Sequence, residues 1–115
     1  MYSTVVLILH DQRHFEEVVA AWHDAGAPAV TIVDAKGTRD PRERGRREEL
    51  PLLPSIRDLL QSDDAPRRMV FALVRDEAVD ALVAATEGVL GDLSDEGNGL
   101  LFVLPVSRVV GLREP

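Results

Sequence analysis

The order of elements in this sequence predicts an α+β domain: one four-stranded antiparallel sheet with two helices on one of its faces. Three observations carry the prediction. The chain reads as two strand-helix-strand units of similar length, the helices of the two units echo each other in sequence, and a glycine- and arginine-rich stretch separates them.

The first strand is residues 4–10, TVVLILH, a continuous β-branched and aliphatic run of the kind buried in a sheet. Asp11 follows as an N-cap, and Phe15, Val18, Val19 and Trp22 then recur at the spacing of one helical face. Gly26 with Pro28 just beyond is a helix C-terminal signature, and residues 29–35, AVTIVDA, form the second strand. In the second half, residues 68–75, RMVFALVR, are the third strand and Asp76 is placed to cap the second helix. That helix carries Val79, Leu82, Val83, Thr86 and Leu90 on one stripe and ends at Gly91, before the last strand at 100–106, LLFVLPV. FEEVVAA at 15–21 echoes VDALVAA at 79–85, each a few residues after an aspartate, which points to a duplicated unit. Strands of about seven residues span roughly 23 Å and helices of about fourteen span roughly 21 Å, so each helix can lie back across the sheet. The resulting βαββαβ order is the ferredoxin-like plait with a long loop between its second and third strands. Pro105 lacks a ladder donor and so belongs at a sheet edge or a strand end.

Such a plait leaves one sheet face open, yet the strands are apolar on both sides, and that pattern requires cover on both faces. In a chain of 115 residues, read as a single domain over 1–115, the available cover is another copy of itself. A closed trimer with inward-facing sheets supplies it, although sequence alone does not set the number.

Composition narrows the function. Aromatic residues make up 4% of the chain, the net charge is −7 and the body is acidic, so neither base stacking nor nucleic acid as a partner is expected. With no cysteine there is no disulfide, thiolate metal site or nucleophilic thiol. The apolar run VVLIL is too short for a signal h-region or a membrane span, and the chain reads as cytoplasmic, with membrane contact only through a partner. No G-x-S-x-G, Walker lysine motif or recognisable catalytic pair of acids is present, and the reading is of a non-enzymatic protein with no required cofactor. His10, Asp11 and His14, with His23 further along, are the one metal-like set. An isolated histidine pair without an evident third ligand is more often a surface accident, and no metal ligands are assigned.

The stretch GTRDPRERGRREE, residues 37–49, has no apolar periodicity. Residues 36–47 carry six positive and two negative side chains, which leaves −11 on the rest of a chain whose net charge is −7. The loop is read as mobile over 37–67, and Arg39, Arg42, Arg44, Arg46 and Arg47 as a contact arm for an acidic protein partner that the sequence does not identify. Ser55 after Pro54 is placed to start a short helix near 55–60, with Ile56, Leu59 and Leu60 on one side. Those apolar residues either pin the base of the loop to the body or form a docking element.

The run Gly97-Asn98-Gly99-Leu100-Leu101-Phe102-Val103-Leu104-Pro105-Val106 resembles the glycine loop and last strand of the PII signal-transduction family, G-D-G-K-I-F-V-L-P-V. Ala35-Lys36-Gly37 stands where that family has the V-K-G that opens its effector loop, and the element order agrees over essentially the whole chain. The resemblance implies a homotrimeric regulator that binds an adenine nucleotide (ATP, ADP or AMP) between subunits and contacts a regulated partner through the loop. It directs attention to Gly37, Gly97, Asn98, Gly99 and Arg113 as nucleotide-binding residues. On chemistry alone, Gly97-Asn98-Gly99 is either a tight turn or a nest of amides for phosphate, and Arg113 is either an exposed terminal arginine or a charge-assisted phosphate contact. The departures are specific. Leu100 replaces a family lysine and Gly111 one of two arginines, Gly37-Thr38-Arg39-Asp40-Pro41 lacks the loop glutamine, and the only tyrosine is Tyr2, outside the loop. Sensing of 2-oxoglutarate and tyrosine uridylylation are therefore not implied. A PII-shaped scaffold without nucleotide binding and a metal-binding trimer similar to the divalent-cation-tolerance proteins are the alternatives.

Overall fold

The computed structural model describes residues 1–37, 65–95 and 97–113. The loop arginines 39–47 and the short helix expected near 55–60 lie outside these residues. Strand β1 spans Tyr2–Leu9, helix α1 Phe15–Asp24, strand β2 Thr31–Gly37, strand β3 Ala65–Arg75, helix α2 Val79–Leu90 and strand β4 Leu100–Val106. Single 3₁₀ turns, Gln12–His14 and Asp76–Ala78, lead into the two helices. The strands pair antiparallel in the order β2-β3-β1-β4, the expected plait. Residues 36–37 and 65–67 extend β2 and β3 beyond the strand ends expected from sequence. Pro105 sits near the end of edge strand β4, where a missing ladder donor costs least.

The core lies between the sheet and the helices. Val5, Leu7 and Leu9 of β1 and Val70, Ala72 and Val74 of β3 point toward Val18 and Trp22 of α1 and Leu82 of α2. Trp22 is fully buried, and its indole Nε1–H donates to Thr86 Oγ1 at 2.8 Å while that hydroxyl donates to the Leu82 carbonyl at 2.7 Å. A single threonine thereby satisfies the only polar atom of the largest core side chain and ties α1 to α2.

Helix ends follow local chemistry. After α1, Gly26 at φ 116° turns the chain so that its N–H reaches His23 O at 3.2 Å and the Ala27 N–H reaches Trp22 O at 3.0 Å. This is the paired bonding of a Schellman motif, and the positive φ is what glycine supplies there. Asp11 caps the 3₁₀ turn ahead of α1, accepting from Arg13 N at 2.9 Å and from the Arg13 guanidinium at 2.6 Å. Asp76 departs from the expected role. Its carboxylate makes no cap and instead accepts from Ser3 Oγ at 2.7 Å, which ties the end of β3 to β1. The strand-to-helix turn brings Asp76 beside Ser3, and a buried hydroxyl is a stronger claimant than a solvated helix end.

The opposite face of the sheet carries no helix among the described residues. Cross-strand pairing lines up Val33, Met69, Ile8 and Leu100 in one row and Thr31, Phe71, Val6 and Phe102 in the next. Leu100 and Leu104 are 56% and 50% exposed, and Phe102 and Val33 are close to 40%. The apolar second face expected from the strand pattern is present.

Two outcomes follow from these contacts. Thr86→Val keeps the volume but strands the Trp22 N–H, so the urea midpoint should fall by the equivalent of about 1–3 kcal/mol, whereas Thr86→Ser should retain most of the hydrogen bond. The Asp11 carboxyl, held by the Arg13 side chain and amide, is lowered from 3.8 to about 2. Because this pKa is depressed on folding, its contribution is present above about pH 4 and is lost as pH falls toward about 2. An NMR titration of the Asp11 carboxyl carbon should show the low midpoint, and Arg13→Ala should return it toward the usual aspartate range.

Candidate functional site

The glycine loop between α2 and β4 is built from its own hydrogen bonds. Gly91, at φ 91°, ends α2 with its N–H on Glu87 O at 2.9 Å, and the Glu87 carboxylate accepts from Leu93 N at 2.9 Å. Asp92 then nucleates a turn: Ser94 N and Oγ donate to Oδ1 at 2.9 and 2.6 Å, and Asp95 N donates to the Asp92 carbonyl at 3.0 Å. The two Ser94 donors, Oγ first, hold the Asp92 carboxyl below the ordinary aspartate range. Asn98 closes the loop with Nδ2 on the Asp92 carbonyl at 2.7 Å and its backbone N–H on Asp95 O at 3.4 Å. The loop therefore uses the Asn98 backbone N–H and one hydrogen of its side-chain amide internally.

Gly97 and Gly99 differ in what requires them. Gly99, at φ 113°, passes so close to β1 that a Cβ would lie 3.1 Å from Ile8 O and 3.5 Å from Leu7 Cδ1. Gly97, at φ 90°, has open space where a side chain would be. Gly99 fits the strand-to-loop junction to the core, and Gly97 faces open space.

The remaining sequence-predicted residues lie elsewhere. Gly37 ends β2 opposite Ala65, at the same end of the sheet as the glycine loop but on the other edge, with β3 and β1 between. At about 4.8 Å per strand that is a separation of roughly 14 Å. Arg113 is at the far end. It lines a cavity of about 290 Å³ with Tyr2, Gly26, Leu73, Arg75 and Leu112, next to the start of β1, whereas Gly99 packs on Ile8 near its finish. Six residues of extended chain make this gap roughly 20 Å. Within the chain, then, Gly97, Asn98 and Gly99 come together and Gly37 and Arg113 do not join them.

Charge is divided in the same way. Residues 91–99 hold no cation and include Asp92 and Asp95. Arg75 and Arg113 line the cavity at the other end, and Arg108 lines its neighbour of about 440 Å³ with Thr4, Thr31, Phe71 and Val110. The shared linings show that residues 107–113 run back across that end of the open face. Sequence reasoning missed Arg75. It is the cross-strand partner of Tyr2, its guanidinium lies 5.5 Å over the Tyr2 ring, and nothing in the linear order associates positions 2, 75 and 113. It also missed Arg68, whose guanidinium stacks 4.1 Å over Phe15 with Nε 3.6 Å from Asp34. His14 pairs with Glu17 at 3.1 Å, and among the described residues no three His, Cys, Asp or Glu side chains converge as a metal site. No described helix is long and apolar enough to cross a membrane.

Gly97→Ala and Gly99→Ala should separate the two glycine roles. Each pays backbone strain of order 1–3 kcal/mol, and Gly99→Ala adds a clash with the Ile8 carbonyl, so chemical denaturation should rank it clearly the less stable variant.

Residues 3–115 match the family model described as nitrogen regulatory protein P-II. The chain is 30% identical over 100 residues to the nitrogen fixation nifHD region GlnB-like protein 1 of Methanothermobacter marburgensis, a match covering 85% of this chain and 82% of that protein. Among solved structures, B. subtilis GlnK is similar with a TM-score of 0.61 at 17% identity, over 92% of this chain and 85% of that one. The B. subtilis GlnK–ATP complex is similar with a TM-score of 0.60 at 18% identity, over 92% and 82%. At such identities the structural likeness speaks to the fold alone.

Proposed function

The chain belongs to the nitrogen regulatory protein P-II family, and from that premise we propose that it is a non-enzymatic regulator. In this reading it is a cytoplasmic homotrimer that binds an adenine nucleotide in clefts between subunits and meets a regulated protein through its basic loop. The observation that carries the reading is the division of the candidate residues between the two ends of the sheet. Gly97 to Gly99 and Arg113 lie too far apart in one protomer to hold one nucleotide, so a common site needs the glycine loop of one copy beside the tail of the next. The apolar face, which carries no helix among the described residues, supports the same assembly, because packing three copies sheet-inward buries it and fixes the ends of neighbouring copies against each other. The solved complex of a similar fold with ATP supports adenine nucleotide as the ligand class.

A second reading has its own observation. The inward use of the Asn98 donors and the acids of the glycine loop favour a scaffold of the same shape that works through loop contacts without nucleotide.

Thermal unfolding against ATP, ADP and AMP, with and without magnesium, decides between the two. Saturation at about one hundred times Kd stabilises a one-site protein by roughly 2.7 kcal/mol, which for a chain of this size is a shift on the order of ten degrees. A nucleotide-specific shift is the expected result, and no shift with any of the three favours the scaffold. Sedimentation equilibrium should give three times the 12.6 kDa chain mass. A stable monomer would overturn the inter-subunit site.

A further inference from the structure

We propose that Arg68 is a pin that couples the base of the β2–β3 ribbon to the start of α1, with the Phe15 ring as its seat. The inference is independent of the nucleotide reading and uses none of its residues. Strand β1 ends at Leu9, the cross-strand partner of Arg68, and β4 begins at Leu100, opposite Ile8. The rung of Asp34, Arg68 and Leu9 is therefore the last that three strands share. Past it, among the described residues, Ala35, Lys36 and Gly37 pair with Arg67, Pro66 and Ala65 and with no third strand. Residues 38–64 leave from and return to this two-stranded ribbon. Two strands alone are marginal in water, so whatever fixes their base to the body sets their direction.

Arg68 shares one face of β3 with Val70, Ala72 and Val74, all buried in the core, and so turns toward the helices rather than the open face. Its guanidinium lies 4.1 Å from the centre of the Phe15 ring. Phe15 is the first residue of α1 and packs on the core cluster. The Arg68 Nε is buried and has no hydrogen-bond partner among the described residues, and the Asp34 carboxylate stands 3.6 Å away on a side chain that is 90% exposed. An N–H buried without an acceptor costs stability, and an ion pair with so solvated a partner adds little. Stacking on Phe15 is then what holds the guanidinium in place. The ribbon is tied to α1 through this one aromatic contact, so a shift at the helix start is passed to the strands that carry the loop, and breaking the contact frees the ribbon alone.

The test is amide hydrogen exchange of the full chain, read by NMR, in wild type, Arg68→Gln, Arg68→Lys, Phe15→Leu and Asp34→Asn, with the amides of β1 as the internal reference. Arg68→Gln and Phe15→Leu should each speed exchange at Ala35 to Gly37 and at Arg67 about tenfold relative to β1, the size of a partly buried cation–π contact. Arg68→Lys should fall between, keeping the charge and losing the flat stack. Asp34→Asn should change the same amides less than about threefold. Equal acceleration throughout the chain is ordinary destabilisation and overturns the proposal, as does wild-type protection of the ribbon in Arg68→Gln or in Phe15→Leu. Ribbon amides that already exchange in wild type as fast as unprotected chain overturn it too. If Asp34→Asn loosens the ribbon as much as Phe15→Leu does, the ion pair is the tie and the proposal fails. Should Phe15→Leu not fold, the Arg68 side-chain protons of the wild type decide together with Arg68→Gln: upfield displacement by the Phe15 ring current and a loosened ribbon support the pin, and ordinary arginine shifts overturn it.

Discussion

The central strands are apolar on both faces, and the described helices cover one of them. That constraint governs the rest of the molecule. Val5, Leu7 and Leu9 of β1 fill the helix side, while Val6 and Ile8 of the same strand face away from it, in rows completed by Phe71, Met69, Phe102 and Leu100. Both strand-helix-strand crossovers place their helices on the same side, as right-handed connections in this order must. The second face is left with side chains that water solvates poorly.

The covered side is held by few polar commitments. Trp22 and Thr86 join the two helices through one hydroxyl that accepts from the indole and donates to its own helix. Ser3 and Asp76 do similar work at the end of the sheet, binding the exit of β3 to the start of β1. These bonds set the register of helix on helix and strand on turn. The apolar contacts around them supply most of the burial but are less directional.

The two ends of the sheet have become chemically unlike. At one, a loop of glycines and aspartates folds on its own carbonyls, with Gly99 pressed against the β1 backbone. At the other, a tail crossing the open face brings arginines toward the turn after α1. The length of β1 keeps these ends apart within the chain.

Periodicity sufficed for the element order, the edge position of Pro105, the helix stops at Gly26 and Gly91 and the apolar second face, because each depends on local propensity or on the alternation of side chains along a strand. The glycines of the loop were legible for the same reason, since a positive φ is a local demand. Tertiary structure alone decided what depends on distant residues meeting. Asp76 binds Ser3 rather than a helix end, because strand pairing carries position 76 to position 3. Arg75 joins Tyr2 and Arg113 because an antiparallel rung and a returning tail converge there. Spacing along the chain encodes which face a residue takes. Which other residue it meets is settled by register and packing, and those exist only once the sheet has formed.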